Sequence, residues 1–162
     1  MPLGKHTPVE IVDAHQGAAL DEVGDLFRRY AGALGIDLSF QDFEEELAGL
    51  PGAYEPPGGA LLLARIKEQA AGCVAMRPFQ DEICEMKRLY ILPRYRGRGL
   101  GRVLARAVIE RACQAGYRRM RLDTLPSMSE ALSLYRSLGF RHIGPYRYNP
   151  VKGTAFMERV LA

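Results

Sequence analysis

The chain has 162 residues, 48% hydrophobic and 25% charged, with a formal net charge of +3. That composition fits one globular domain over residues 1–162. No apolar run approaches the roughly 20 residues that cross a bilayer, and the opening residues lack the order of a secretory signal, so cytoplasmic residence without a membrane partner is expected. Cys73, Cys84 and Cys113 form no CxxC pair, and His6, His15 and His142 show no ligand spacing. A disulfide framework and a metal site are therefore both disfavoured.

Pro8 to Val12 reads as a first strand. From Ala18 to Ala33, the spacing of Leu20, Val23, Leu26, Phe27, Tyr30 and Leu34 predicts an amphipathic helix ended by Gly35. A second helix is predicted over Gln41 to Leu50, with Asp42, Glu44, Glu45 and Glu46 placed where the helix dipole favours anions. After a Pro/Gly-punctuated loop come three strands, Ala60 to Lys67, Gly72 to Phe79 and Ile83 to Leu92. Glu68-Gln69-Ala70 and Gln80-Asp81 serve as their hairpin turns, and Pro93 stops the third strand.

Gly99 to Ala115 carries an apolar stripe of Leu100, Val103, Leu104, Ala107, Val108 and Ala112, with Gly116 placed as its left-handed end. Tyr117 to Leu125 alternates as a half-buried strand. Ser127 and Glu130 have capping-box spacing and open a helix that Gly139 closes, and Phe140 to Ile143 and Thr154 to Leu161 are the last strands. A helix between Ile83–Leu92 and the strand ending at Leu125 implies a right-handed parallel crossover. The expected fold is α/β: a mixed, mostly antiparallel sheet with one parallel pair and helices on both faces.

Arg94, Arg96, Arg98, Arg102 and Arg106 crowd into thirteen residues of a chain otherwise near charge balance. A compact polyphosphate suits that better than a nucleic-acid track, and no nucleic-acid partner is expected. Gly97, Gly99 and Gly101 free the backbone before a helix whose first N–H groups have no internal partner, which makes an anion-binding nest. The run is G-x-G-x-G, not the G-x-G-x-x-G of dinucleotide sites, and no Gly-Lys-Ser/Thr of a P-loop is present.

The run from Leu89 to Gly101 resembles the GNAT superfamily of N-acetyltransferases. Its Gln/Arg-x-x-Gly-x-Gly/Ala signature is matched by Arg96, Gly99 and Gly101, and a second block by Ala131 to Phe140. Element order agrees from Val9 to Leu161. The resemblance implies acetyl-CoA as cosubstrate, its pyrophosphate on Arg96, Gly97, Arg98, Gly99, Leu100, Gly101 and Arg102. It also implies that the strand around Leu89, Tyr90 and Ile91 splays from its parallel neighbour, leaving backbone groups for the pantetheine arm.

Direct transfer to an amine needs a proton removed, an oxyanion stabilised and a proton returned to the thiolate. Tyr135, at the family's tyrosine position, is the expected acid. Glu85, on the strand beside the cofactor, is the expected base, with a salt bridge as its rival reading and water or Asp123 as replacements. Where many members carry asparagine, seven residues before the tyrosine, this chain has Met128; Ser127 and Ser129 are the polar substitutes at hand. Arg88, with Lys87, suits a substrate carboxylate and so an amino-acid-like amine. Tyr146, Tyr148 and Asn149 either line the acceptor pocket or pack their loop, and Glu44 to Glu46 either draw a cation or form a solvated face. The expected reaction is acetylation of a small-molecule amine. A non-catalytic acyl-CoA sensor and a protein N-acetyltransferase are the alternatives, and the fold class leaves a homodimer open.

Overall fold

The computed structural model describes residues 8–35, 42–126 and 128–161. Seven strands form one sheet, in the spatial order first, second, third, fourth, fifth, seventh, sixth. They are β1 (Glu10–Asp13), β2 (Ala60–Ile66), β3 (Gln69–Gln80), β4 (Ile83–Ile91), β5 (Arg119–Thr124), β6 (Arg141–Ile143) and β7 (Ala155–Val160). All neighbours pair antiparallel except β4 and β5, which are parallel, as the intervening helix requires.

The helices are α1 (Gly17–Leu34), α2 (Phe43–Ala48), α3 (Leu100–Gln114) and α4 (Ser129–Ser137). α1 turns Val23, Leu26 and Phe27 inward, and Gly35 ends it at φ +66°. α3 buries Leu104, Val108 and Ala112 against β2, β3 and β4. β2 carries apolar residues on both of its faces, with Leu61, Leu62 and Leu63 wholly buried, because helices cover the sheet on each side. No helix among the described residues is long and apolar enough to cross a membrane, and none of their His, Cys, Asp and Glu side chains cluster as a metal site.

Several boundaries differ from expectation, each for a local reason. The first hairpin turns at Lys67 and Glu68, both at positive φ, between the paired Ile66 and Gln69; the right-handed twist of the ribbon selects that two-residue turn. The second turns at Asp81-Glu82, between the paired Gln80 and Ile83. α2 is shorter than predicted because the chain enters it through Asp42 in the left-handed region and leaves at Gly49, short of Pro51. α4 begins with Met128 as its N-cap and has no side-chain cap; Ser127 lies outside the described residues.

A bulge bends β4 near its C-terminal end. Cys73 faces Tyr90 and Ala75 faces Lys87, so two steps on β3 oppose three on β4. Arg88 takes up the extra residue at φ +60°. Gly72 sits opposite, and a Cβ there would come within 2.7 Å of the Tyr90 carbonyl oxygen. Only glycine permits strands this close beside the kink.

Candidate active site

β4 and β5 pair at only three positions, Ile83 with Arg119, Cys84 with Met120 and Glu85 with Arg121. β5 continues on β7 as far as Thr124, while β4 bends away at its bulge. The two strands diverge, and the backbone edge of β4 beyond Lys87 faces a gap.

A cleft of about 600 Å³ opens there, lined by Leu89–Ile91, by Tyr95, Arg96, Gly97 and Gly99–Arg102, and by Met128–Ala131 and Leu134. Pro93–Tyr95 form a 3₁₀ turn after β4, and the chain then reaches α3 through Gly97 at φ +78° and Gly99 at φ +80°. Val103 bonds back to the Gly99 carbonyl at 3.1 Å, leaving the amides of Leu100, Gly101 and Arg102 without intrahelical acceptors. Arg96 bonds the Ile91 carbonyl at 2.9 Å and stacks on Tyr90, which ties the glycine turn to the strand end. Gly101 packs beside Leu134 of α4, and Arg102 reaches Ser137 at 2.9 Å across the same junction.

Deeper in the gap is a narrow pocket of about 40 Å³. Met86 to Leu89 line it from β4, Leu122 to Thr124 from β5 with Leu125 just beyond, and Tyr30 and Leu34 from α1; Met128, Tyr135 and Asn149 complete it. Leu89 and Met128 belong to both cavities, so the pocket is the inner continuation of the cleft. Burial lowers the Lys87 amine from its ordinary value to about 8, with Glu85 and Asp123 opposing the shift and Arg88 and Arg77 adding to it. Burial works against the Arg88 charge too, but Glu46 more than restores it. The guanidinium lies bidentate on that carboxylate at 2.9 and 3.2 Å, over the Phe43 and Tyr30 rings. Burial raises Tyr135 above its ordinary value, keeping the phenol protonated.

The family model for "Acetyltransferase (GNAT) family" matches residues 20–140. The chain belongs to the GNAT acetyltransferase family. This GNAT protein is 41% identical, over 86% of both chains, to an uncharacterized N-acetyltransferase of Schizosaccharomyces pombe. It is 34% identical to the N-acetylaspartate synthetase of Xenopus tropicalis, over 64% of this chain and 40% of that one. Its fold is similar to that of Salmonella typhimurium yncA, solved with its cofactor acetyl-CoA. The TM-score is 0.70 at 19% identity, covering 95% and 94% of the two chains.

Of the residues expected at the GNAT cofactor site, Leu89, Tyr90, Ile91, Arg96, Gly97, Gly99, Leu100, Gly101 and Arg102 all line the cleft. Arg98, on the same turn, is not among its lining residues. Tyr135, Arg88 and Asn149 line the inner pocket. Asn149 donates to Asp123 at 3.2 Å and accepts from the Val151 amide at 2.9 Å. Met128 does stand at the mouth, where it offers a thioether in place of an amide; Ser129 lines the outer cleft.

Glu85 and Tyr146 stand outside both cavities. The Glu85 carboxylate is wholly buried and lines neither cavity. It accepts from Arg77 and from Arg147, each at 3.0 Å, and from the Tyr146 hydroxyl at 2.7 Å. This carboxylate is thus held by ion pairs with Arg77 and Arg147. Tyr146 packs edge-on between Phe79 and Phe156, and burial with Glu85 keeps its hydroxyl a donor. Tyr148 is 74% exposed and lines neither cavity.

Sequence reasoning missed Tyr30 and Leu34 as pocket residues, because both fit the apolar stripe of α1. It also missed the tie between Glu46 and Arg88, which spans 42 residues and leaves no local trace.

Proposed function

We propose that this protein transfers the acetyl group of acetyl-CoA to the amine of a small, amino-acid-like acceptor. The observation that carries this reading is the divergence of β4 and β5 into a cleft that starts at unpaired helix N-terminal amides and ends among opposed charges. The amides of Leu100 to Arg102 and the positive end of the α3 dipole suit the pyrophosphate. The free backbone edge at Leu89 to Ile91 suits the pantetheine amides.

In the inner pocket, cations and an anion are set apart. Lys87 lies on β4 beside the Arg88–Glu46 pair, and Asp123 on β5, an arrangement complementary to an acceptor carrying both a carboxylate and an ammonium. An alkylammonium with a pKa of about 10 must lose a proton before it can attack, and Asp123, steadied by Asn149, is the carboxylate placed to receive it directly or through water. Tyr135 donates a hydrogen bond to the departing sulfur. Because its phenol is a weaker acid than the thiol, with a pKa of about 8.5, it steadies the thiolate through that bond, and the proton lost from the amine neutralises the sulfur. Glu85 then acts as a positioning residue, holding the segment that carries Asn149. The N-acetylaspartate synthetase relative supports an amino-acid acceptor.

The test is a calorimetric titration of acetyl-CoA into wild type and Gly99→Asp, followed by thiol-release assays over a panel of amino acids and simple amines. One-to-one binding that weakens in the variant, with turnover on carboxylate-bearing amines, supports the reading. Absence of binding by folded wild type ends it. Turnover only on peptides would move the acceptor to protein.

A further inference from the structure

Only four of the 22 basic side chains are lysines: Lys5, Lys67, Lys87 and Lys152. Lys67 and Lys152 are exposed, in the first hairpin turn and in the loop before β7. Lys5 lies outside the described residues. Lys87 is 5% exposed and lines the inner pocket with Tyr135. A residue bearing a primary amine thus lines the pocket to which, on the proposed function, an acceptor amine comes.

We propose that Lys87 is a self-acetylation site: when no acceptor occupies the inner pocket, its Nζ takes the acetyl group of acetyl-CoA held in the adjoining cleft. This inference rests on the proposed transferase activity. The neutral amine attacks the thioester carbonyl carbon, a C–N bond forms and the C–S bond breaks. Sulfur leaves with the electron pair as the CoA thiolate. The proton lost from nitrogen passes to that thiolate, giving an amide and free CoA thiol. No other reactant is consumed.

The charged groups around Lys87 set its reactivity. Glu85 and Arg88 on its own strand, Arg77 on β3 and Asp123 on β5 act on it, and the hydroxyls of Tyr30 on α1 and Tyr135 on α4 share its pocket. With burial lowering the amine to about 8, its neutral fraction should rise on the order of tenfold between pH 7 and pH 9. A bound acceptor displaces this chemistry by occupying the pocket, and its carboxylate favours the protonated lysine. Acetylation in turn removes a positive charge from the acceptor site and fills part of a small cavity. The modification is therefore self-limiting: cofactor without acceptor switches the enzyme off.

The test is peptide mass mapping of full-length protein incubated with acetyl-CoA at pH 7 and pH 9, with calorimetry to confirm that the cofactor binds. Expected is acetyl-Lys87 ahead of Lys67 and Lys152, formed about tenfold faster at the higher pH. Its rate should be independent of protein concentration and suppressed by excess CoA. Lys87→Arg should bind acetyl-CoA and lack the adduct. If acetyl-CoA binds but only the exposed lysines react, or Lys87 reacts regardless of excess CoA, self-acetylation is overturned while the transferase reading stands. If acetyl-CoA does not bind at all, both fall.

Discussion

The Tyr146 hydroxyl donates to the buried Glu85 carboxylate at 2.7 Å, and this bond pins the loop between β6 and β7 to the middle of the sheet. Arg147, the next residue, bonds the other oxygen of the same carboxylate. Arg121 lies over both the Tyr146 and Phe79 rings while pairing with Glu158 at 2.8 Å. Glu85→Gln should therefore cost about 3 kcal/mol in denaturant unfolding, as a buried pair losing one charge does. The pH profile of kcat should keep its shape. A profile that loses its acidic limb would instead restore Glu85 as the base.

Arg88 offers a second test. Its side chain is 1% exposed and Glu46 is a bidentate partner, so Glu46→Ala takes a carboxylate away from a buried guanidinium. A loss of about 3–5 kcal/mol is expected. Glu46→Leu combined with Arg88→Met should lose less than the sum of the two single changes, a coupling that a double-mutant cycle measures.

The pH dependence of stability tests Lys87. Its folded-state value is lowered, so below about pH 8 the ammonium is charged in both states and folding bears the full desolvation cost. Between about 8 and the ordinary 10.5 the unfolded chain binds more protons, and this group's contribution to stability rises with pH. Lys87→Met should stabilise the protein at pH 7 by up to about 3 kcal/mol, and the advantage should shrink by pH 10. Urea titrations of both proteins at the two pH values check it.

Tyr135→Phe removes one oxygen from the inner pocket and leaves the edge-on contact with Phe140 intact. Acetyl-CoA affinity should be unchanged in calorimetry, while kcat falls roughly 10²-fold or more, the usual scale for a lost hydrogen-bond donor to developing charge. Unchanged turnover would remove Tyr135 from the chemistry.

Gly99 holds φ +80° with open space where a side chain would project. Gly99→Asp should cost about 1–2 kcal/mol of stability from the left-handed backbone. It should weaken acetyl-CoA by more than tenfold, because a carboxylate then faces the phosphate oxygens. Gly99→Ala, carrying the backbone cost alone, separates the two effects.

Elements whose signals are local were legible in the sequence. The α1 and α3 stripes, Gly35 and Gly116 as left-handed helix ends, and the glycine turn at Arg96 to Gly101 all arise from residues within one or two turns of each other. The bulge at Arg88 was not legible, since no glycine or proline marks it on β4 itself and its cause is the register against β3. Nor were the partners of Glu85, which come from β3 and from a loop about 60 residues downstream. A carboxylate's neighbours decide between base and anchor, and those neighbours exist only after the chain has folded.

The three paired positions between β4 and β5 have a mechanical consequence. They form a narrow seam in the sheet, with β1 to β4 on one side and β5 to β7 on the other. A ligand lying in the gap would act as a rivet between the two halves. Its binding energy would surface largely as resistance to their separation, added to the bonds from Tyr146 and Arg147 to Glu85 that already cross the seam.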